Sequence, residues 1–236
     1  WQNGIGVDVL DSRSEFEDYK IVIAPLLYMF HNDIQQKMRN FVERGGILLS
    51  TAFSGVVDEN DLCFLGEATQ EKLSDVLGLW VEETDALFDE EANETSWNQN
   101  TYKLKEICEV IHTTTAEVLA VYGKDYYKGA PVITKNTYGV GTAYHIAANC
   151  EDALIEDLCR QLVAEAQITG ILGDADIPDG IGICYRENET KRYIFIGNFS
   201  DEAKCIDFSK SSGNEERAYV NILDDAKIGG KVCLEP

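Results

Sequence analysis

Proline, histidine, paired cysteines and long apolar runs are what this chain has least of: four prolines, three histidines, no CxxC pair, and no stretch near the length of a membrane helix. Each shortage excludes something. With so little proline and no Ser, Gln or Gly tract, no long disordered region is expected and the chain should fold throughout. The histidines, His31, His112 and His145, stand apart from one another and from every cysteine, which leaves little for acid–base or metal schemes, so each is read as a structural or surface residue. A membrane helix needs about 18 consecutive apolar residues, and none is present. Cations are scarce too. Twenty Lys and Arg face 42 Asp and Glu, and a net charge of −22 repels phosphate backbones and anionic lipid, so no nucleic acid and no membrane is expected as a partner. The seven cysteines, Cys63, Cys108, Cys150, Cys159, Cys184, Cys205 and Cys233, are odd in number and irregular in spacing. They fit neither a disulfide framework nor a zinc site, and free thiols suit a reducing, cytoplasmic compartment. No cofactor and no metal is expected.

What is present reads as an ordinary globular chain of one large or two modest domains, with 44% hydrophobic and 26% charged residues. Ile5 to Leu10 alternates as a short strand. Lys20 to Ala24 is a continuous apolar run of the kind buried in parallel sheets. Asp33 to Arg44 is an amphipathic helix with Ile34, Met38, Phe41 and Val42 on one face, Asn32 or Asp33 as its cap and Gly45-Gly46 as its stop. Ile47 to Ser50 completes a βαβ unit, for which right-handed crossover predicts a parallel sheet. Glu71 to Leu77 is a short helix ended by Gly78. Strands follow at Val118 to Tyr122, Ala130 to Asn136 and Thr142 to Ala147, then a helix over 151 to 166 with Leu154, Leu158, Leu162 and Val163 on one stripe. Beyond residue 170 about five short strands alternate with turns, which indicates a small antiparallel β domain over 171–236 that leans on an α/β domain over 1–170. Glu82, Glu83, Asp85, Asp89, Glu90, Glu91 and Glu94 fall within thirteen residues lacking Lys or Arg, and are read as a solvated loop or helix face. The chain opens at Trp1, close to an expected strand, and reads as a piece of a longer protein.

In a doubly wound sheet, chemistry sits beyond the carboxyl ends of the strands, here after Ala24 and Ser50. The second of these corners reads Thr51-Ala52-Phe53-Ser54-Gly55. Related hydrolases and amidotransferases present a Ser or Cys nucleophile at such a corner, whereas this one carries Ala52 and Phe53. Ser54 has no evident base and is read as a turn residue. Gly139-Val140-Gly141-Thr142-Ala143-Tyr144 opens like a dinucleotide fingerprint but joins two strands, so it is read as a hairpin turn. Asp174, Asp176 and Asp179-Gly180 approach a calcium loop, yet Pro178 and Tyr185 occupy ligand positions. Trp80, Trp97, Tyr126 and Tyr127 could stack on sugars, but core or interface packing is the plainer reading. No catalytic residue is assigned.

The segment from Asp18 to Gly66 resembles the stretch that follows the catalytic barrel in β-galactosidases of glycoside hydrolase family 42, called the trimerisation domain. The matching points are Tyr19-Lys20, Ala24-Pro25, Gly45-Gly46 and the run Ser54-Gly55-Val56-Val57-Asp58-Glu59-Asn60-Asp61. Leu77-Gly78, Val81-Glu82-Glu83, Tyr127 to Val132 and Asn136 to Gly141 continue it in order, and the likeness covers about residues 4 to 168. Glu67-Ala68-Thr69-Gln70 departs from the family, which more often has Gly and Pro there. The resemblance implies a flavodoxin-like or class I glutamine amidotransferase-like sheet with helices on both faces. It also implies that both catalytic glutamates, and the galactoside substrate, belong to a barrel absent from this chain. Its partners are then its own barrel and neighbouring subunits in a homotrimer. Phe53, Val56, Val57, Asp58, Asp61 and Phe64 are the expected interface residues, because apolar groups on a loop at a sheet's carboxyl edge are costly in water; local packing beneath the same domain is the alternative. Two other functions stand beside this one. One is an independent amidotransferase-like domain that hydrolyses glutamine or binds a small ligand, and the other is a carbohydrate-binding module using the C-terminal sheet.

Overall fold

The apolar run after Lys20 forms β1 (Ile21–Ala24), which pairs in parallel with β2 (Ile47–Thr51). The structure, a computed structural model, describes residues 4–31, 33–63, 73–173, 175–210 and 219–236. Between the two strands runs α1 (Ile34–Glu43), whose buried Ile34, Met38, Phe41 and Val42 recur at helical spacing on one face. Its stop is a Schellman motif: the Gly46 and Gly45 amides donate to the Phe41 and Val42 carbonyls, both at 3.0 Å, which requires the left-handed backbone that Gly45 supplies. Its start differs from expectation. Asp33 is itself left-handed, with φ 57°, and its side chain makes no capping bond, since a cap needs extended backbone to reach the helix amides. Asn32 lies outside the described residues.

The chain continues through α2 (Ser74–Leu77), ended by a left-handed Gly78, and then β3 (Leu79–Ala86), β4 (Asn93–Trp97), β5 (Asn100–Thr113), β6 (Glu117–Val121), β7 (Pro131–Tyr138), β8 (Gly141–Ile146), β9 (Ala148–Cys150) and α3 (Asp152–Glu165). Five strands make one sheet in the order β1-β2-β8-β7-β6. It is mixed, which corrects the description as a parallel sheet, although the βαβ unit is parallel and the hairpin turn expected at Gly139-Val140-Gly141 is present. β1, β2 and β8 run parallel, but the two-residue turn at Gly139-Val140 reverses the chain, and a turn so short can only join antiparallel neighbours. Alternation along β2 sends Leu48 to the face covered by α1 and α2, and Ile47 and Leu49 to the face covered by α3.

A second, antiparallel sheet, β3-β5-β4 with β9 also on β5, was not expected at all. Its longest strand, β5, interrupts its own alternation at Glu106, which is left-handed with φ 62°. The β5–β9 register shifts between Lys105 and Cys108, so the two halves of the strand present different faces and no single period survives in the sequence. The acidic run is corrected in part in the same place: Glu82, Glu83 and Asp85 stand on β3 and Glu94 on β4, while Asp89, Glu90 and Glu91 lie on the exposed loop between those strands, as expected. Ile5 to Leu10 is not a strand either; Val9 is 98% exposed, and among the described residues no strand pairs with the segment.

The chain divides into two compact units, Leu10–Ala166, and Trp1–Val9 together with Gln167–Pro236. Among its described residues the second unit holds three antiparallel ribbons, namely β10 (Ile181–Glu187) with β11 (Arg192–Asn198), β12 (Lys204–Asp207) with β15 (Lys231–Leu234), and β13 (Tyr219–Val220) with β14 (Lys227–Ile228). Leu172, Ile181, Ile183, Ile206 and Phe208 form its core. Cys205 and Cys233 face each other across β12 and β15 and are joined by a disulfide, which corrects the expectation of free thiols throughout. Pairing that is set by strand register 28 residues apart leaves no trace in spacing. Five cysteines are free, and burial pushes the Cys150 thiol up to about 11, with the charges of Asp152 and Glu151 adding to the shift.

Candidate functional site

The parallel strands β1, β2 and β8 end together, and two loops leave that edge: Pro25 to Phe30 and Ala52 to Cys63. They are zipped by backbone and hydroxyl bonds. Leu26 donates to Thr51 Oγ1 at 2.7 Å, Leu27 to Ser54 Oγ at 3.1 Å, Gly55 to the Leu27 carbonyl at 2.8 Å, and Val56 to the Tyr28 carbonyl at 2.9 Å. Ser54 is thus a buried loop brace and not a nucleophile. Gly55 is left-handed, with φ 67°, and a Cβ there would stand 2.5 Å from the buried Phe30 ring. Gly55→Ala is therefore expected to lower the unfolding free energy by about 2 kcal/mol or more in urea titrations, combining the left-handed penalty with a clash that the packed ring cannot relieve.

Phe53 is also left-handed, with φ 61°, at the point where a strand-to-loop corner displays its side chain. That side chain is carbon only. Its ring stacks on Tyr28, with centroids 5.4 Å apart. On the same two loops Leu26 is 50% and Leu62 63% exposed, so the edge presents apolar side chains to solvent. Asp58 accepts the Asn60 and Leu62 amides at 2.8 and 3.1 Å and shapes the loop tip. The Tyr28 hydroxyl titrates above its ordinary value because the loop desolvates it and the Asp61 carboxylate repels a phenolate. Of the expected interface residues, Phe53 and Val56 are half-buried, Asp58 is half-buried, Asp61 is exposed, and Val57 is packed inside, where it bridges to Met29. Phe64 lies outside the described residues.

Beneath this corner lies a residue that the sequence reading passed over. The Glu109 carboxylate, from β5, is fully buried; its Oε1 accepts the Phe53 amide at 2.8 Å and its Oε2 meets His145 Nε2 at 3.2 Å. A carboxylate only accepts, so the shared hydrogen is assigned to Nε2 of His145. His145 sits on β8 opposite Ser50 of β2 and is fully buried. Its Nδ1 has no hydrogen-bond partner among the described residues, and neither has the buried Thr134 Oγ1, which stands across from it on β7. A signal for Glu109 was available in Ile107-Cys108-Glu109-Val110-Ile111, where one acid interrupts an apolar run.

The other candidates fall apart in space. His31 bonds Ser12 Oγ at 3.0 Å, while His112 stacks on Trp80 at 4.4 Å and meets Glu82 at 2.5 Å on the exposed side of β3 and β5. Trp97 and Tyr127 are core residues; Tyr126 is exposed, with its hydroxyl on Glu83. Asp174 lies outside the described residues, and among those residues no group of three or more His, Cys, Asp or Glu could hold a metal ion. No described helix is long and apolar enough to cross a membrane.

Comparison with known proteins places these observations. The family model described as the β-galactosidase trimerisation domain matches residues 1–169. A β-galactosidase of Clostridium perfringens is 39% identical over 243 residues, which is 100% of this chain and 34% of that protein. A β-galactosidase of Alicyclobacillus acidocaldarius is 36% identical over 241 residues, covering 99% of this chain and 34% of that protein. The chain thus spans about a third of the length of the curated relatives it matches. Among solved structures, a GH42 β-galactosidase from G. stearothermophilus superposes with a TM-score of 0.90 at 31% identity, over 100% of this chain and 33% of that one. A β-galactosidase from Bacillus circulans sp. alkalophilus gives 0.88 at 34% identity, over 100% and 34%.

Proposed function

The chain belongs to the β-galactosidase trimerisation-domain family, and from that premise we propose that it is the non-catalytic assembly segment of a β-galactosidase. Hydrolysis of terminal β-galactosides belongs to a barrel outside these residues, and this segment joins that barrel to neighbouring subunits in a homotrimer. The observation that carries the reading is the corner itself. The position where a sheet of this kind displays a reactive group holds Phe53, a side chain with no heteroatom, stacked on Tyr28 at an edge whose two loops carry the exposed Leu26 and Leu62, which suit contact better than chemistry. Phe53, Val56, Asp58 and Asp61 form the contacting loop, and Val57 holds it from inside.

The parallel order β1-β2-β8, α1 and α3 on opposite faces, and the left-handed corner support a flavodoxin-like, class I glutamine amidotransferase-like ancestry for the first unit. The matched span 1–169 supports a division at residue 170, with a C-terminal antiparallel β domain over 171–236. A cytoplasmic location is part of the reading; it rests on the five free cysteines, and the Cys205–Cys233 disulfide weighs against it.

The division of labour is tested with a chromogenic β-galactoside. The 236-residue chain is expected to release no product above background, while the full-length polypeptide containing it turns over readily. Hydrolysis by the purified chain alone, surviving a second purification, overturns the assignment.

A further inference from the structure

The β2–β8 ladder ends where the Ala52 amide donates to the Ile146 carbonyl at 2.7 Å. The next amide along, that of Phe53, has left the ladder because its residue is left-handed, and a half-buried amide without an acceptor is costly. The acceptor comes from the other sheet. Glu109 reaches it from β5 with one carboxylate oxygen, while His145 holds the other. The register irregularities of β5 against β3 and β9 turn that stretch so that Cys108, Glu109, Val110 and Ile111 are all buried, and Glu109 is thereby aimed inward.

We propose that Glu109 is the positioning residue of the contact corner: its buried carboxylate, braced by His145, fixes the Phe53 amide and so sets the Phe53–Tyr28 stack that a neighbouring subunit receives. The inference rests on the assembly reading and deepens it. A loop held only by its own turns samples many arrangements and loses the ordering cost on contact; one acceptor from a packed sheet removes that cost beforehand. Glutamine keeps the arrangement, since its amide oxygen accepts from Phe53 and its amide nitrogen donates to His145 in the other tautomer. Leucine keeps the volume and loses the acceptor.

The test compares wild type, Glu109→Gln and Glu109→Leu in the full-length protein, using amide hydrogen exchange at Phe53 and the subunit dissociation constant from sedimentation, at temperatures where circular dichroism shows each variant folded. Loss of the bond is expected to speed Phe53 exchange about 10- to 100-fold in Glu109→Leu and to weaken association about tenfold or more, with Glu109→Gln close to wild type in both. Should Glu109→Leu fail to fold, Glu109→Leu with His145→Leu takes its place, because it leaves no imidazole buried without its carboxylate and still removes the acceptor of the Phe53 amide. Unchanged Phe53 exchange in the leucine variant overturns the positioning role, and faster exchange with unchanged association overturns its link to contact. A wild-type protein that sediments as a single chain contradicts the assembly reading instead, and Phe53 exchange still decides the positioning.

Discussion

His145→Leu is expected to lower the unfolding free energy by about 3–5 kcal/mol, because it leaves the Glu109 carboxylate buried with the Phe53 backbone amide as its one remaining donor among the described residues. The loss of volume is small, so a cavity contributes little and the penalty comes from the stranded charge. His145→Gln, which retains a donor at similar reach, should recover much of the loss. The decisive comparison is a double-mutant cycle. Glu109→Leu with His145→Leu replaces both partners by apolar groups and is expected to cost less than the two single changes added together, the difference being a coupling of a few kcal/mol. Guanidinium titrations of the four chains measure it. Additive single effects would mean that the two side chains are neighbours without being partners.

The second large effect concerns association. Leu26→Glu with Leu62→Glu places two carboxylates on the exposed apolar rim of the corner, in a chain whose net charge is already −22. Both side chains are half or more exposed in the single chain, so folding should change by less than about 0.5 kcal/mol. At a contact, the same changes oppose like charges across a desolvated surface and cost several kcal/mol per interface. The full-length protein is therefore expected to lose its assembly while keeping its melting temperature as a single chain. A variant that assembles as before would remove the corner from the interface.

The parts of this fold legible in the sequence are those with one undisturbed period. The run from Lys20 to Ala24, the stripe of Ile34, Met38, Phe41 and Val42, and the Gly45-Gly46 stop gave β1, α1 and β2 within a residue or two. Leu154, Leu158 and Leu162 did the same for α3. The second sheet was hidden because β5 changes faces at a left-handed Glu106, so neither half is long enough to show a period beside its charged neighbours Lys103, Lys105 and Glu106. The disulfide was hidden because Cys205 and Cys233 meet through the register of β12 and β15 alone. At the corner, residue types announced that Ala52 and Phe53 carry no reactive group. They could not announce that Phe53 is left-handed, since nothing in a phenylalanine favours that conformation; what sustains it is the Glu109 carboxylate 56 positions further along.

Cys63 offers the most direct measurement. Its thiol is exposed in the single chain, on the loop that carries Leu62, and Cys184, exposed in the other unit, serves as an internal reference. Labelling with a maleimide at neutral pH, read by mass spectrometry on the assembled full-length protein and on Leu26→Glu with Leu62→Glu, compares the two thiols directly. Contact through the corner predicts that Cys63 is shielded in the assembly and reacts at least about tenfold faster once the assembly is broken. Equal Cys63 rates in an intact trimer and in a single chain would contradict it.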